Sequence, residues 1–437
     1  MKKFIRTIRN IFAIEELRDR ILNTLGMLVI FRLGSFVVLP GVDPSKLKGT
    51  SSGILGLLDT FLGGAFSNAS IFGLGVMPYI SASIVLQLLT VAVPYFQKMQ
   101  KEGESGRKKI NQITRVLTIF ITIFQSSAYL TGAVPAEAIV VNRTLFMFSS
   151  MVILTAGTIF IMWLGERITE KGIGNGISML IMIGIISRFP GALIAEATTK
   201  GMSGALLFII EIVALFFVVV GVVALTQAVR RVPVQYAKQV VGNRVYGGQR
   251  QYIPLKVNAA GVMPIIFAQS LMFLPALLAG LWADQSDIAS YIGSTFSNYL
   301  SWQYNLVFGI LIVLFTFFYT AITINPTQIA DDMKRNGGFI PGVKPGKQTS
   351  EYIDNILTKI TLPGSFFLAI VAILPAFAAI AGVSGQFSHF YGGTSLLIMV
   401  GVILDTLQQI ESYLLMRHYE GLMKSGKIKG RSSVAVA

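Results

Sequence analysis

Eight residues that occur twice constrain this chain more than any other feature. Gly75-Val76-Met77-Pro78-Tyr79-Ile80-Ser81-Ala82 returns as Gly261-Val262-Met263-Pro264-Ile265-Ile266-Phe267-Ala268, six of eight positions being identical. A second echo follows in the same order. Gly176-Ile177-Ser178-Met179-Leu180-Ile181 matches Gly393-Thr394-Ser395-Leu396-Leu397-Ile398 at four of six positions. Two ordered matches point to a chain of two related halves, with a functional centre where the halves face each other.

Both copies of the first motif head apolar runs, and there are ten such runs in all. They lie at about 21–39, 71–93, 113–133, 147–165, 176–195, 204–228, 259–282, 305–325, 360–381 and 393–415. Each is long enough to cross roughly 30 Å of hydrocarbon as a helix. Of the 437 residues, 53% are hydrophobic and only 13% charged, which excludes an ordinary soluble domain. The expected fold is an all-α membrane protein with ten transmembrane helices.

Lys and Arg give the orientation. With the N-terminus inside, 29 of the 36 fall in inside segments, and only Lys46, Lys48, Arg143, Arg188 and Lys200 fall outside. Both termini are therefore expected in the cytoplasm. The second and seventh runs then cross in opposite directions, as do the fifth and tenth, so the repeat is inverted. Residues 1–20 alternate apolar and basic side chains at helical spacing and read as an interfacial helix. Residues 21–200 form the first half and 201–437 the second, with long inside loops at 229–258 and 326–359 and a cytoplasmic tail. The first run lacks a small-residue cleavage site, so no removed signal peptide is expected. The Gly-broken stretch from Ile54 to Ser67 is apolar but too short to span.

The repeat pairs Ile80 with Ile266 and Ile181 with Ile398, while Val76 and Ile177 each lie one turn from a paired isoleucine. Six aliphatic side chains from four helices then meet at one depth. Such a ring makes a narrow constriction that excludes water and ions by dewetting. From periodicity alone, ordinary helix packing is the simpler reading. Carboxylates within the runs are few: Glu211, Asp405 and Glu411, of which Asp405 alone is expected to be deep. Gln87, Gln125 and Gln269 sit on otherwise apolar runs. Bonds from them across helices, each worth roughly 1 kcal/mol, serve as packing glue or as contacts of a gate. The rival reading is an inverted-repeat secondary transporter of a small solute. It calls for several buried ionisable residues near the centre, and the sequence offers few.

The first long loop carries Arg230, Arg231, Lys238 and Arg244, and the second Lys334, Arg335 and Lys344 around Pro341-Gly342-Val343-Lys344-Pro345-Gly346. Topology explains the sign of this charge. Its length and the rigid turn suit docking to an acidic partner, including ribosomal RNA. Catalytic motifs are lacking. Gly342 to Gln348 has the wrong spacing for a P-loop, and Gly172-Ile173-Gly174-Asn175-Gly176 follows no strand. There is no cysteine and only two histidines, so no cofactor or metal site and no enzyme activity are expected.

Six stretches carry a resemblance: LGMLVIFRLGSFVVLPGVD (25–43), IFGLGVMPYISASIVLQLLTV (71–91), KEGESGRKKINQ (101–112), MWLGERITEKGIGNGIS (162–178), PLKVNAAGVMPIIFAQS (254–270) and YGGTSLLIMVGVILD (391–405). In collinear order over nearly the whole chain they closely resemble the bacterial SecY family, the channel subunits of the general protein-translocation complex. The resemblance implies ten spans in two halves hinged near the fifth and sixth, and a pore ring at Val76, Ile80, Ile177, Ile181, Ile266 and Ile398. It implies a short plug helix over Leu57, Leu58, Asp59, Thr60, Phe61, Leu62, Gly63, Gly64, Ala65, Phe66 and Ser67. A lateral gate between the second and third spans and the seventh and eighth would admit signal sequences and release apolar segments to the lipid bilayer. SecE and SecG subunits would accompany the chain in the plasma membrane, and a SecA motor or the ribosome would dock on the basic loops. Two tips depart from the family. Lys344-Pro345-Gly346 stands where many relatives have Arg-Pro-Gly, and Asn243-Arg244 where some have two arginines; Lys lacks the planar fork of Arg.

Overall fold

A computed structural model describes residues 12, 14–47, 59, 62–132, 134–201, 204–236, 239–241, 244–246, 250–282 and 287–424. Helix α1 spans Glu15–Gly34 without a break at residue 20, and most of the expected interfacial helix lies outside the described residues. α1 stops at Gly34, where a Cβ would lie 2.0 Å from Phe72 Cε2. The second run becomes helical only at Met77, not at 71: residues 71–76 are turns. Gly75 takes a φ of +53°, which a helix does not admit, and Pro78 fits the first turn that follows. α2 (Met77–Ala92) ends because Val93, preceding Pro94, is held extended. The chain then bends by 102° into the short α3 (Pro94–Lys101).

The remaining helices of the first half are α4 (Glu104–Gly132), α5 (Arg143–Lys171) and α6 (Gly176–Lys200). The second half opens with α7 (Ala205–Gln227). It continues with α8 (Met263–Trp282), α9 (Asp287–Ser297), α10 (Trp302–Thr323), α11 (Pro326–Arg335), α12 (Lys347–Ile380), α13 (Gly385–Ser388) and α14 (Gly393–Lys424). Among the described residues seven stretches have the length and apolarity to cross a bilayer, or eight if the bent α2–α3 pair is one span. α1 and α8 are 20 residues each, but α1 opens on Glu15, Glu16, Arg18, Asp19 and Arg20.

The sequence repeat has a structural counterpart. Gly261 takes a φ of +64°, like Gly75, and α8 opens at Met263 as α2 opens at Met77. The second echo opens α6 at Gly176 and α14 at Gly393. Packing follows suit: α2 on α4, α4 on α5 and α5 on α6 in the first half; α8 on α10, α10 on α12 and α12 on α14 in the second. The halves meet where α6 contacts α7 and α14.

Small residues set the closest approaches. Thr114, Thr118 and Thr122 form a buried stripe on α4, and Thr316 and Thr320 form another on α10. Each hydroxyl donates to the carbonyl one turn back, at 2.6–2.9 Å, so it presents a compact and satisfied surface. At the α5–α6 turn a Cβ on Gly176 would stand 1.9 Å from the Gly165 carbonyl oxygen.

The two basic loops are not independent. β1 (Val229–Tyr236) pairs antiparallel with β4 (Arg250–Lys256) and, on its other edge, with β5 (Gly338–Phe339) from the second loop. Between β1 and β4 lie the short strands β2 (Gln239–Val241) and β3 (Arg244–Tyr246). Val232, Val234, Leu255, Met333, Ile340, Ile353 and Leu357 form a core beneath the sheet. That core uses the first turns of α12, whose 34 residues measure about 51 Å at 1.5 Å per residue, well beyond one bilayer crossing.

The glycine contact yields a test. Gly176→Leu is expected to destabilise the fold by about 1–3 kcal/mol through overpacking. Gly191→Leu, at a position with nothing within 4 Å of its Cβ, is expected to do little. Thermal unfolding in detergent, compared for the two variants, checks the difference.

Candidate functional site: a closed apolar constriction

Val76 immediately precedes α2, Ile80 lies on α2, Ile177 and Ile181 on α6, Ile266 on α8 and Ile398 on α14. All six belong to one apolar cluster between the halves, with Val76, Ile181 and Ile398 buried and the others half-buried. Val76, Ile80, Ile181, Ile266 and Ile398 also line a single cleft with Leu62, Met77, Gln269, Ser270 and Thr394. Ile177 does not line it. A Cβ on Gly165 would meet Ile177 Cγ1 at 2.8 Å, so this side chain packs against α5 instead.

Leu62 is the member that periodicity could not place. It enters from the short stretch that cannot span, and a Cβ on Gly75 would fall 2.3 Å from its Cδ2. Of that stretch, Leu57, Leu58, Thr60 and Phe61 lie outside the described residues. Asp59 is described, and residues 62–69 form turns rather than helix. The turn is tied to the strand-like segment after α1: Leu39 N–H donates to Ala69 O at 2.8 Å and Ile71 N–H to Val37 O at 2.9 Å. Ala69 takes a φ of +45°, a strained conformation for a residue with a Cβ.

The glutamines divide. Gln87 on α2 accepts a hydrogen bond from the Tyr319 hydroxyl on α10, which joins the halves. Ile84 packs beside it against Phe267 and Tyr319. Gln269 accepts from Thr394 Oγ1 at 2.8 Å, a bond within the second half rather than across. Gln125 is half-buried and makes no hydrogen bond to a described side chain. Tyr319 was not singled out from sequence; its hydroxyl is one of several in this run, beside Thr316 and Thr320.

The carboxylates buried within the chain are others than Asp405. Asp405 and Glu411 are both exposed on the chain. Glu196 and Glu211 are buried, and both face Lys200, whose Nζ is 3.6 Å from Glu196 Oε1 and 3.0 Å from Glu211 Oε1. Lys200 Nζ also donates to Gly382 O at 2.8 Å, and Ser384 N–H donates to Glu196 Oε2 at 3.0 Å. The Tyr391 hydroxyl donates to the Glu211 backbone carbonyl at 2.5 Å. This cluster ties α6 to α7 and to the loop ahead of α14, and none of its members lines the constriction. The Glu196–Lys200 spacing of four was readable as a helical ion pair; the partner on α7 was not.

Of the basic loop residues, Arg230, Arg231, Lys334, Arg335 and Lys344 are exposed. Arg244 opens β3 and its side chain, like all of Lys238, lies outside the described residues. No His, Asp or Glu group with metal-ligand geometry occurs among the described residues.

Two inverted helical halves that close on an aliphatic constriction, with a short segment seated in it, define a gated membrane channel. A family model described as SecY matches residues 70–407. The protein translocase subunit SecY of Streptomyces griseus is 45% identical over 430 residues, covering 94% of this chain and 98% of the relative. That of Halalkalibacterium halodurans is 44% identical over 435 residues, covering 96% and 100%. Among solved structures, one described as a protein conducting channel aligns at a TM-score of 0.66 with 17% identity, covering 90% of this chain and 92% of the other. The canine Sec61 ribosome-channel complex aligns at 0.61 with 16% identity over 90% and 92%. The chain belongs to the SecY family.

The constriction makes a direct prediction. Replacing Ile80 and Ile266 together by Ser would wet the narrow passage. Resting ion conductance in planar bilayers is expected to rise well above that of the parent chain. Unchanged conductance would assign these residues to packing alone.

Proposed function

We propose that the chain passes unfolded polypeptide outward through this constriction and releases apolar segments sideways between α2 and the α8–α10 pair. The observation that carries the reading is the cleft itself: five aliphatic side chains from four helices of both halves, sealed by Leu62, with no carboxylate among its lining residues. A solute transporter would put ion-binding groups there. The buried Glu196–Lys200–Glu211 cluster lies elsewhere, and its charges are engaged with each other and with backbone. A branched apolar ring instead fits a passage that must seal around chains of any sequence.

On this reading the chain crosses the plasma membrane ten times with both termini inside, and 57–67 is the plug. It performs no chemistry and draws its driving force from a partner. The relatives are named as translocase subunits, and two of the similar folds are described with a ribosome. SecE and SecG subunits, a SecA motor and the ribosome are accordingly the partners we assign. Their docking surface is the β4–β1–β5 sheet with the Lys344 turn. β5 joins both loops in one platform, and Gly342 and Gly346, at φ of +85° and +101°, hold the turn that exposes Lys344.

The gate is tested at the Gln87–Tyr319 hydrogen bond. Gln87→Cys with Tyr319→Cys, in a chain otherwise free of cysteine, gives two thiols for a short bis-methanethiosulfonate linker. Export of a signal-bearing substrate into vesicles is expected to stop when the link forms and to resume on reduction. Continued export with the link in place would remove the sideways opening from the mechanism.

The platform is tested by charge. Lys344→Glu with Arg335→Glu changes exposed residues, so stability is expected to shift by no more than about 0.5 kcal/mol. Affinity for a translating ribosome or motor ATPase is expected to fall at least tenfold at low salt and to converge with the parent at high salt. Parent affinity at low salt would leave the loops as topology signals only.

A further inference from the structure

The seal at Leu62 is apolar, yet what holds its segment in place is polar and lies outside the cleft. Asp59 is buried, and one of its carboxylate oxygens pairs with Arg188 Nη2 on α6. The other oxygen, Oδ1, accepts the Ser67 backbone N–H at 2.8 Å. Arg188 Nη2 also donates to Ser67 Oγ at 3.0 Å. One guanidinium and one carboxylate therefore close both ends of the turn and pin it to α6. Two further donors act on the carbonyls between: Arg32 Nη1 on α1 bonds Gly63 O at 2.6 Å, and the Tyr129 hydroxyl on α4 bonds Phe66 O at 2.7 Å.

Backbone packing shows how closely the turn is seated. A Cβ on Gly63 would stand 2.8 Å from Gly184 Cα, and one on Gly64 would stand 2.8 Å from Arg188 Nη2. Both glycines have positive φ, at +62° and +92°. The turn thus lies flat on α6, with its two polar ends held by one side chain and Leu62 projecting into the cleft.

We propose that Arg188 is the positioning residue of the closed channel: its ion pair with Asp59 is a latch that holds the turn at 62–67 down, and the strength of this latch sets how readily a signal sequence opens the channel. The proposal rests on the reading of 57–67 as a plug. Its chemistry is asymmetric. The Asp59 side chain is 6% exposed and that of Arg188 39%. Removing the arginine strands a buried carboxylate, which leaves the pocket for water. Removing the carboxylate leaves an arginine that solvent already reaches. Arg188→Met is therefore expected to loosen the segment more than Asp59→Asn, and Arg188→Lys, which keeps charge but loses the fork, less than Arg188→Met.

The test uses the assembled complex in proteoliposomes. Phe66→Cys supplies a single thiol on the segment, and its labelling by a membrane-impermeant maleimide reports how often the segment lifts. The second readout is export of a substrate with a crippled signal. Relative to the Phe66→Cys parent, Arg188→Met is expected to raise the labelling rate at least tenfold and to rescue the crippled substrate. Asp59→Asn and Arg188→Lys are expected to lie between. Trypsin resistance of each complex verifies that it is folded. Labelling and export unchanged in folded Arg188→Met and Asp59→Asn complexes would overturn the latch. A complex lacking 57–67 separates the two readings. If that deletion raises resting conductance while the point variants do nothing, the plug stands and the latch falls. If the deletion leaves conductance unchanged, the plug reading falls and takes the latch with it.

Discussion

On the proposed reading, the contact among aliphatic side chains of α2, α6, α8 and α14 has to be both watertight and reversible. Dewetting is the one form of seal that needs no specific partner. Val76, Ile80, Ile181, Ile266 and Ile398 present only branched methyl surface, so a passing chain of any composition substitutes for the contact they make with each other. The same lack of direction means the ring cannot define its own register. Aliphatic contacts slide, and within a bilayer no hydrophobic force presses helix on helix. Register must come from groups with direction, and these lie around the ring rather than in it.

Three polar devices supply it. The Tyr319–Gln87 hydrogen bond joins α2 to α10 across the halves. The Glu196–Lys200–Glu211 cluster ties α6 to α7 and reaches the loop before α14. The Asp59–Arg188 pair seats the turn that carries Leu62. They differ in how firmly they hold. A single neutral hydrogen bond between helices is worth roughly 1 kcal/mol and is easily broken. A lysine shared by two buried carboxylates is costly to lose, because its removal leaves both carboxylates buried without a cation. On the proposed reading, the weak device sits where the halves open and the stronger one where they stay joined.

Much of this was legible in the sequence, and for identifiable reasons. The GVMP repeat reported a backbone need: a glycine with positive φ, then a proline-compatible first turn, at Gly75 and again at Gly261. Pattern reading, by repeat pairing and one-turn spacing, picked out six aliphatic positions, and five of them line the cleft. It failed at Ile177, because one turn along a helix preserves the face only approximately and Gly165 leaves room for the side chain on α5. It failed for the sheet in the basic loops because only Val232 and Val234 alternate inward, too short a pattern to read. It chose Asp405 over Glu196 because run boundaries, drawn on hydropathy, excluded a residue whose charge is neutralised in place. Asp59 and Arg188 are 129 residues apart, and no local pattern announces such a pair.

The separation of seal from latch explains why the segment at 62–69 is a turn and not a helix that simply fills the hole. A helix satisfies its own backbone and would dock by apolar contact alone. The turn leaves the Gly63 carbonyl to the Arg32 donor on α1, while the Phe66 carbonyl, which accepts the Ala69 N–H at 3.2 Å, takes a second bond from Tyr129 on α4. Its two glycines permit an approach to α6 that no side chain would allow, so the bonds are short and oriented. The strained Ala69 that follows is compatible with this only because the bonds on both sides over-determine it, Leu39 N–H on Ala69 O and Ser70 N–H on Ala65 O. The turn keeps backbone bonds of its own, Ala65 N–H to Leu62 O and Asn68 N–H to Gly64 O among them, so it is the docking onto α1, α4 and α6 that depends on the polar side chains. If this segment is the plug, as proposed, a turn docked by a small set of oriented bonds is either seated or lifted and does not yield by degrees. That is what a channel needs if it is to stay sealed until a signal engages it and then clear the passage at once.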